Sequence, residues 1–259
     1  MIGFLIKKTF YDLWDNLFRV ALINLGFIAS LSAPVFLPGL LLRIPALSVA
    51  VLAAGILWCF VYLSAAALSL KAVSDYGAFG FGDFLRNIKE GWPAGIVMGI
   101  AAIFFWSMVT IIIPTYLGMG SFLGLILAAL VFWIMIFALF SLQFFFAIRA
   151  RLEPKPVRGI KKSFIIFIDN PGFCVFSFLH NLVILAVSCL VAFLFPGPAG
   201  ILLFLDEGIR LRLLKYDWLE ANPAPAAGRR RIPWDAILID EREKTGTRSL
   251  KNFIFPWKD

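Results

Sequence analysis

The sequence predicts an all-α protein: a polytopic transmembrane helix bundle of about six crossings, with interfacial amphipathic helices and a cytoplasmic C-terminal tail. Three observations predict it. From Gly91 to Ile148 no Asp, Glu, Lys, Arg or His interrupts a run of Ile, Leu, Phe, Val, Ala, Gly and Trp. A hydrocarbon layer of roughly 30 Å takes about 20 helical residues to cross, so this run holds two crossings and a turn. The composition, 61% hydrophobic and 15% charged with a mean hydropathy of +0.90, lies beyond that of a soluble domain of this length. Finally, the basic residues sort by loop. Lys7, Lys8, Arg19, Lys71, Arg86, Lys89 and the six of Arg149–Ser163 fall on one side of the layout, and Arg43 alone on the other. The crowded side is expected to be cytoplasmic.

Residues 1–19 open the chain as an interfacial amphipathic helix. Phe10, Leu13, Trp14, Leu17 and Phe18 recur at helical spacing, while Lys8, Asp12, Asp15, Asn16 and Arg19 take the opposite face. A secretory signal peptide fits less well, because charges recur at Asp12, Asp15 and Arg19 and Pro34 follows the small-residue pair Ser32-Ala33.

The transmembrane domain is expected over residues 20–218. Val20–Leu42 is the first crossing, kinked near Pro34, whose ring frees a carbonyl that a neighbouring helix or hydroxyl must satisfy. Pro45–Leu70 is the second, after a very tight turn. Lys71–Trp92 returns to polarity and contains a second interfacial helix, with Phe81, Phe84, Leu85, Ile88 and Trp92 on one face.

Pro93–Ile113 and Phe122–Ile148 form the charge-free hairpin, turning at Pro114–Ser121. The basic connection Arg149–Ser163 and a short apolar piece, Ser163–Asn170, lead to the fifth crossing, Gly172–Phe195, which Pro196-Gly197-Pro198 stops.

Ala199–Trp218 is read as a short sixth helix, because the eleven basic residues from Arg210 onward belong on the same side as the earlier basic loops. Its charged half would be shielded by the bundle or lie at the interface; a re-entrant dip is the alternative. Residues 219–259 form a basic cytoplasmic tail. There Ile232-Pro233-Trp234-Asp235 is echoed by Phe255-Pro256-Trp257-Lys258-Asp259. Trp234 and Trp257 are candidate anchors for a partner protein or the bilayer surface, unless the tail folds back on its own bundle.

The chemistry-bearing residues are few. With His180 as its single histidine and no C-x-x-C pair, the chain offers no expected metal or cofactor site. Cys59, Cys174 and Cys189 read as apolar packing residues; Cys174 and Cys189 would lie about 22 Å apart on one helix, too far for a disulfide. No P-loop, G-x-S-x-G or strand-linked G-x-G-x-x-G is present. The formal net charge of +8 is distributed by loop and not on one face, so orientation and not nucleic acid accounts for it.

The polar residues expected at membrane depth remain. His180 and Asn181 are either a buried, hydrogen-bonded pair or a proton or ligand contact in an internal cavity with Gln143 or Asn24. Asp169, Asn170, Asp206, Glu207 and Arg210 form a second group, with Glu207 and Arg210 spaced to neutralise each other.

The order of these pieces resembles the YesL-like family of bacterial membrane proteins. The residues concerned are the Trp14–Leu42 stretch, with W-x-N-L-x-R before a crossing that contains Ser32-Ala33-Pro34, the amphipathic Phe81–Trp92 segment, and the basic Arg158–Lys162 loop running into Asp169-Asn170-Pro171. The resemblance covers roughly Tyr11–Leu214 and rests on pattern and order. It implies a multi-pass protein of the bacterial cell (inner) membrane, with ABC-type transporter subunits as partners beside the lipid bilayer. The implied function is a non-enzymatic accessory role in solute transport, a carbohydrate among the candidates. An autonomous transporter with an internal polar cavity and a membrane-embedded enzyme acting on lipid through His180 or Asp169 are the other readings.

Overall fold

The computed structural model describes residues 1–222, 232–246 and 248, and most of these are helical, with no strand among the described residues. Five helical stretches are long and apolar enough to cross a membrane: Leu17–Leu40, Pro45–Ser74, Phe81–Gly118, Phe122–Arg151 and Pro171–Leu190. The chain is a membrane-embedded all-α bundle.

Helix α1 (Ile2–Asp15) breaks at Asn16 and α2 (Leu17–Leu40) follows at once. Amphipathicity misplaces the faces of α1. Lys8 is 0% exposed and turns inward with Leu5, Thr9 and Leu13, while Trp14 and, on α2, Phe18 are exposed. The helical wheel assumes water opposite an apolar core; here the surroundings are lipid and the interior supplies an anionic partner.

Pro34 and Pro38 both lie inside α2. The carbonyl that Pro34 releases, that of Ser30, receives the Cys59 thiol at 3.5 Å from α3 (Pro45–Ser74). The Pro34 ring rests on Gly55, and Ser48 Oγ donates to Pro38 O at 2.9 Å.

The expected interfacial helix at Phe81–Trp92 is instead the first part of α4 (Phe81–Ser107), which runs straight through Pro93. Carbonyls in the turn loosened by that proline find donors on other helices: Ser64 Oγ reaches Gly91 O at 2.9 Å and Arg149 reaches Glu90 O at 3.3 Å. Helices α3 and α4 approach so closely that a Cβ on Gly95 would overlap the Val61 backbone.

The turn expected at Pro114–Ser121 is also smaller than predicted. The chain widens into a π-helical segment at Met108–Ile112, resumes as α5 (Ile113–Gly118), and turns only at residues 119–121, where Gly120 has φ 59°. The Thr110 and Thr115 hydroxyls donate to carbonyls one turn back on their own helix, Trp106 O and Ile111 O, so neither is left unpaired in lipid. The return runs through α6 (Phe122–Leu142) and α7 (Phe145–Arg151).

The stretches expected as a basic connection and a short apolar piece join into one amphipathic helix, α8 (Pro156–Asp169), and α9 (Pro171–Leu190) follows.

The last long helix, α10 (Gly197–Ala221), is continuous and sits at the centre. Ala199, Leu202 and Leu203 join a cluster with Leu13, Val20, Tyr62, Ala66 and Leu70; Phe204, Leu205, Ile209 and Leu211 join another with Leu5, Phe144, Ile148 and Phe173. The tight connection before α10 is tied to α2. Asn24 Nδ2 donates to Leu194 O and Pro196 O at 3.0 and 2.8 Å, and its Oδ1 accepts from Ala199 N at 2.9 Å. Asn24 lies only about 10 Å along α2 from Leu17. Helix α10 therefore begins beside the first third of α2 and runs along one half of α3 toward Ser74, in place of a full-length sixth crossing. Its Asp206 and Glu207 are shielded by the bundle. Two short helices, α11 (Trp234–Ile237) and α12 (Ile239–Thr245), close the same end.

Candidate functional site

Lys8 midway along α1, Asp75 and Tyr76 just past α3, Arg151 at the end of α7, Asp206, Glu207 and Arg210 midway along α10, and Glu241 near the start of α12 meet in a network of charges at one end of the bundle. Lys8, on α1, has its ammonium 3.2 Å from Glu207 Oε1 and 2.5 Å from Asp12, and donates to Ser74 O at 3.0 Å. Thr9 Oγ1 donates to the other Glu207 oxygen. Lys8 and Glu207 are both 0% exposed.

Arg151, ending α7, grips Asp206 with a fork, Nε to Oδ1 at 2.9 Å and Nη2 to Oδ2 at 2.5 Å, and reaches Asp75 and Ser74 Oγ at 2.9 and 2.8 Å. Arg210 donates to Ser74 O at 2.8 Å, pairs with Asp75, and holds Glu241 Oε1 at 2.7 Å. Tyr76, at φ 61° just past α3, donates to Glu241 Oε2 at 2.9 Å, and the Lys8 ammonium lies 4.3 Å from its ring centre.

Buried charges persist only where they are paired and hydrogen-bonded, and here every member has several partners. Burial alone would lower the Lys8 pKa; the Glu207 and Asp12 carboxylates outweigh it and hold the ammonium above its ordinary value. Burial pushes the Tyr76 hydroxyl up to about 12, with Glu241 adding to the rise and Thr245 and Lys8 opposing it.

The expected Glu207–Arg210 neutralisation is not what forms. Glu207 turns to Lys8 and Thr9 on α1, and Arg210 to Asp75 and Glu241, because residues three apart on a central helix face different neighbours. Asp169 and Asn170 lie apart from this network. Asp169 Oδ2 accepts from Tyr216 at 2.5 Å, Asn170 at 2.8 Å and Lys215 at 3.2 Å, and the Tyr216 hydrogen bond leads in holding its carboxyl below the usual range.

No family model, curated protein or solved structure matches this chain.

The intramembrane residues separate as well. Asn24 stitches the α9–α10 connection; Gln143 donates to Phe140 O and Cys174 O, both at 2.9 Å; His180 lies flat on Phe204, with ring centres 3.9 Å apart. Asn24, Gln143 and His180, the residues of the alternative cavity reading, make three separate contacts instead. Ser177 Oγ, His180 Nδ1 and Asn181 Oδ1 are buried on α9 without a hydrogen-bond partner among the described residues.

Trp234 is half-buried at the second core cluster, 5.6 Å from the Arg212 guanidinium, so this part of the tail folds back on the bundle. Trp257 lies outside the described residues, as do residues 223–231 of the linker and basic run. Sequence reasoning missed Lys8, Asp75, Tyr76, Arg151 and Glu241. Their one shared sequence signal is a charged or phenolic residue near the end of an apolar helix or in the segment beyond it.

Proposed function

We propose that this chain is a non-enzymatic accessory module of solute transport that docks on its partners through the charged end of the bundle. The observation that carries this reading is the ion network itself. It joins α1, α3, α7, α10 and the tail helix α12 into one preorganised platform, with Lys7, Lys244 and Arg242 on its outer side. Preorganised surfaces bind at a smaller entropy cost than flexible ones.

The candidate polar residues support it further. An autonomous transporter brings such residues to one cavity, and here Asn24, Gln143 and His180 hold helices together at separate places. The YesL-like resemblance supplies the substrate class, a carbohydrate, and the partners, ABC-type transporter subunits. It also supplies the location, a bacterial cell (inner) membrane, and the sorting of the basic loops supports a cytoplasmic position for both termini.

Purifying a tagged copy from its own membranes in mild detergent, followed by mass spectrometry, tests the docking. Permease or ATPase subunits in stoichiometric amounts are expected, and a homogeneous single species would sink the reading. Uptake of labelled solute by liposomes containing this protein alone would favour autonomous transport instead. A reporter active only outside the cytoplasm, fused after Asp259, is expected to be silent.

A further inference from the structure

We propose that a pocket between α8 and α10 holds one molecule of phosphatidylethanolamine by its headgroup, the ammonium on Asp169 and the phosphate on Lys162. The pocket has a volume of about 330 Å³, and Lys162, Asp169 and Tyr216 line it together with Leu152, Ile165 and Ile166. That volume lies within the range of small-molecule sites. Two opposite charges thus border the same space as three apolar side chains, a lining that suits a zwitterionic head and the start of its acyl chains.

The pocket sits at the membrane surface. Asp169 ends α8, and α9, one of the membrane-crossing stretches, begins two residues later at Pro171. Helix α8 leaves Val157, Ile165 and Ile168 76, 51 and 75% exposed, with no protein covering them among the described residues. On an amphipathic helix at that depth such residues lie against acyl chains, so a lipid is the molecule that reaches the pocket.

The two charges choose which lipid. Tyr216, Asn170 and Lys215 all donate to Asp169 Oδ2, while Oδ1 accepts from nothing among the described residues. A carboxylate has room for about four hydrogen bonds, and this side chain is 48% exposed, so a second cation can reach it. Lys162 spends one of its three donors on Glu153, 3.3 Å away, and is 39% exposed. Seven residues separate Lys162 from Asp169, two turns and about 10 Å along one face of α8. In ethanolamine phosphate two carbons separate the phosphate ester oxygen from the amine, so the headgroup with a hydrogen bond at each end bridges that span. Phosphatidylcholine carries a cation with no N–H to donate, and the Tyr216 ring that could face a trimethylammonium already has Lys215 4.9 Å from its centre. Phosphatidylglycerol brings no cation to Asp169. This pocket is separate from the charged docking end, and its failure would leave that reading standing.

The test titrates the full-length protein in detergent with dioleoyl phosphatidylethanolamine, phosphatidylcholine or phosphatidylglycerol and counts bound lipids by native mass spectrometry. One ethanolamine lipid is expected to bind about tenfold more tightly than either of the others, the lower end of what a hydrogen bond to a charged group is worth. Asp169→Asn should erase the preference over phosphatidylcholine. Lys162→Gln should weaken both of those lipids about equally and keep the preference, because both carry the phosphate. Equal affinity for the three lipids, or tighter binding of phosphatidylglycerol, overturns the proposal with the wild-type protein alone. So does a preference that survives Asp169→Asn in protein with a wild-type melting curve. If that variant does not fold, Lys162→Gln decides, and unchanged affinity for the ethanolamine lipid in the folded Lys162→Gln protein overturns the proposal.

Discussion

Lys8 and Glu207 are the pair whose separate removal should cost most. Lys8→Ala leaves a carboxylate buried without its cation, and a loss of about 3–5 kcal/mol is expected in equilibrium unfolding in detergent. The double replacement Lys8→Met with Glu207→Leu should cost clearly less than the two single changes together, because no charge is then left unpaired. A sum that is simply additive would show that the two do not act as a pair. Tyr76 and Lys8 set the alkaline limit. Both have folded-state pKa values above their unfolded ones, so their contribution is fully present below about pH 10. It is lost as pH rises through the folded values, and for Tyr76 that window closes near 12. The melting temperature is therefore expected to fall between about pH 10 and 12, and Tyr76→Phe should remove the tyrosine part of that fall. The network was barely legible in the sequence, because spacing pairs Glu207 with Arg210 on one helix, while the true partners come from α1, α3 and α12. Only the packing of α10 at the centre reveals them.

Among the elements, α3 and α4 make the tightest pair, and Gly95 is its closest point. Gly95→Val would force the two backbones apart and is expected to cost about 1–3 kcal/mol, read as a lower melting temperature in detergent. Gly3→Val, with nothing within 4 Å of its side-chain position, serves as the control. The existence of the long apolar helices could be read directly, because a charge-free run of this length has no other stable state in lipid. Their ends were less legible. Prolines 93 and 114 read as boundaries, yet both lie within continuous helical stretches, because Ser64 and Arg149 from other helices supply donors in one case and a π-helical widening absorbs the ring in the other. A sequence shows the proline and not the distant hydroxyl that makes it harmless.

Over the whole molecule, the tail helix α12 is as much part of the charged end as any membrane helix, through Glu241 to Arg210 and Tyr76. A chain ended after Asn222 should still insert, but melt at a lower temperature, and its Tyr76 should titrate closer to the ordinary tyrosine value of about 10. Unchanged Tyr76 absorbance on alkaline titration would show that burial by α12 is not the cause of its shift. The same closure has a consequence for how the protein is made. Lys8 and Glu207 are separated by 199 residues, so at ordinary synthesis rates roughly 10–40 s pass between the appearance of one and the other. Throughout that interval Lys8 has only Asp12, on its own helix, for an acidic partner. The earliest helices must therefore wait at the ribosome-facing membrane surface, with Lys8 among water and lipid phosphates, and the bundle seals only when the last long helix arrives. A stalled or shortened chain would expose the Lys8–Asp12 pair, with its second acid missing, beside an apolar helix, a ready mark for quality-control proteases.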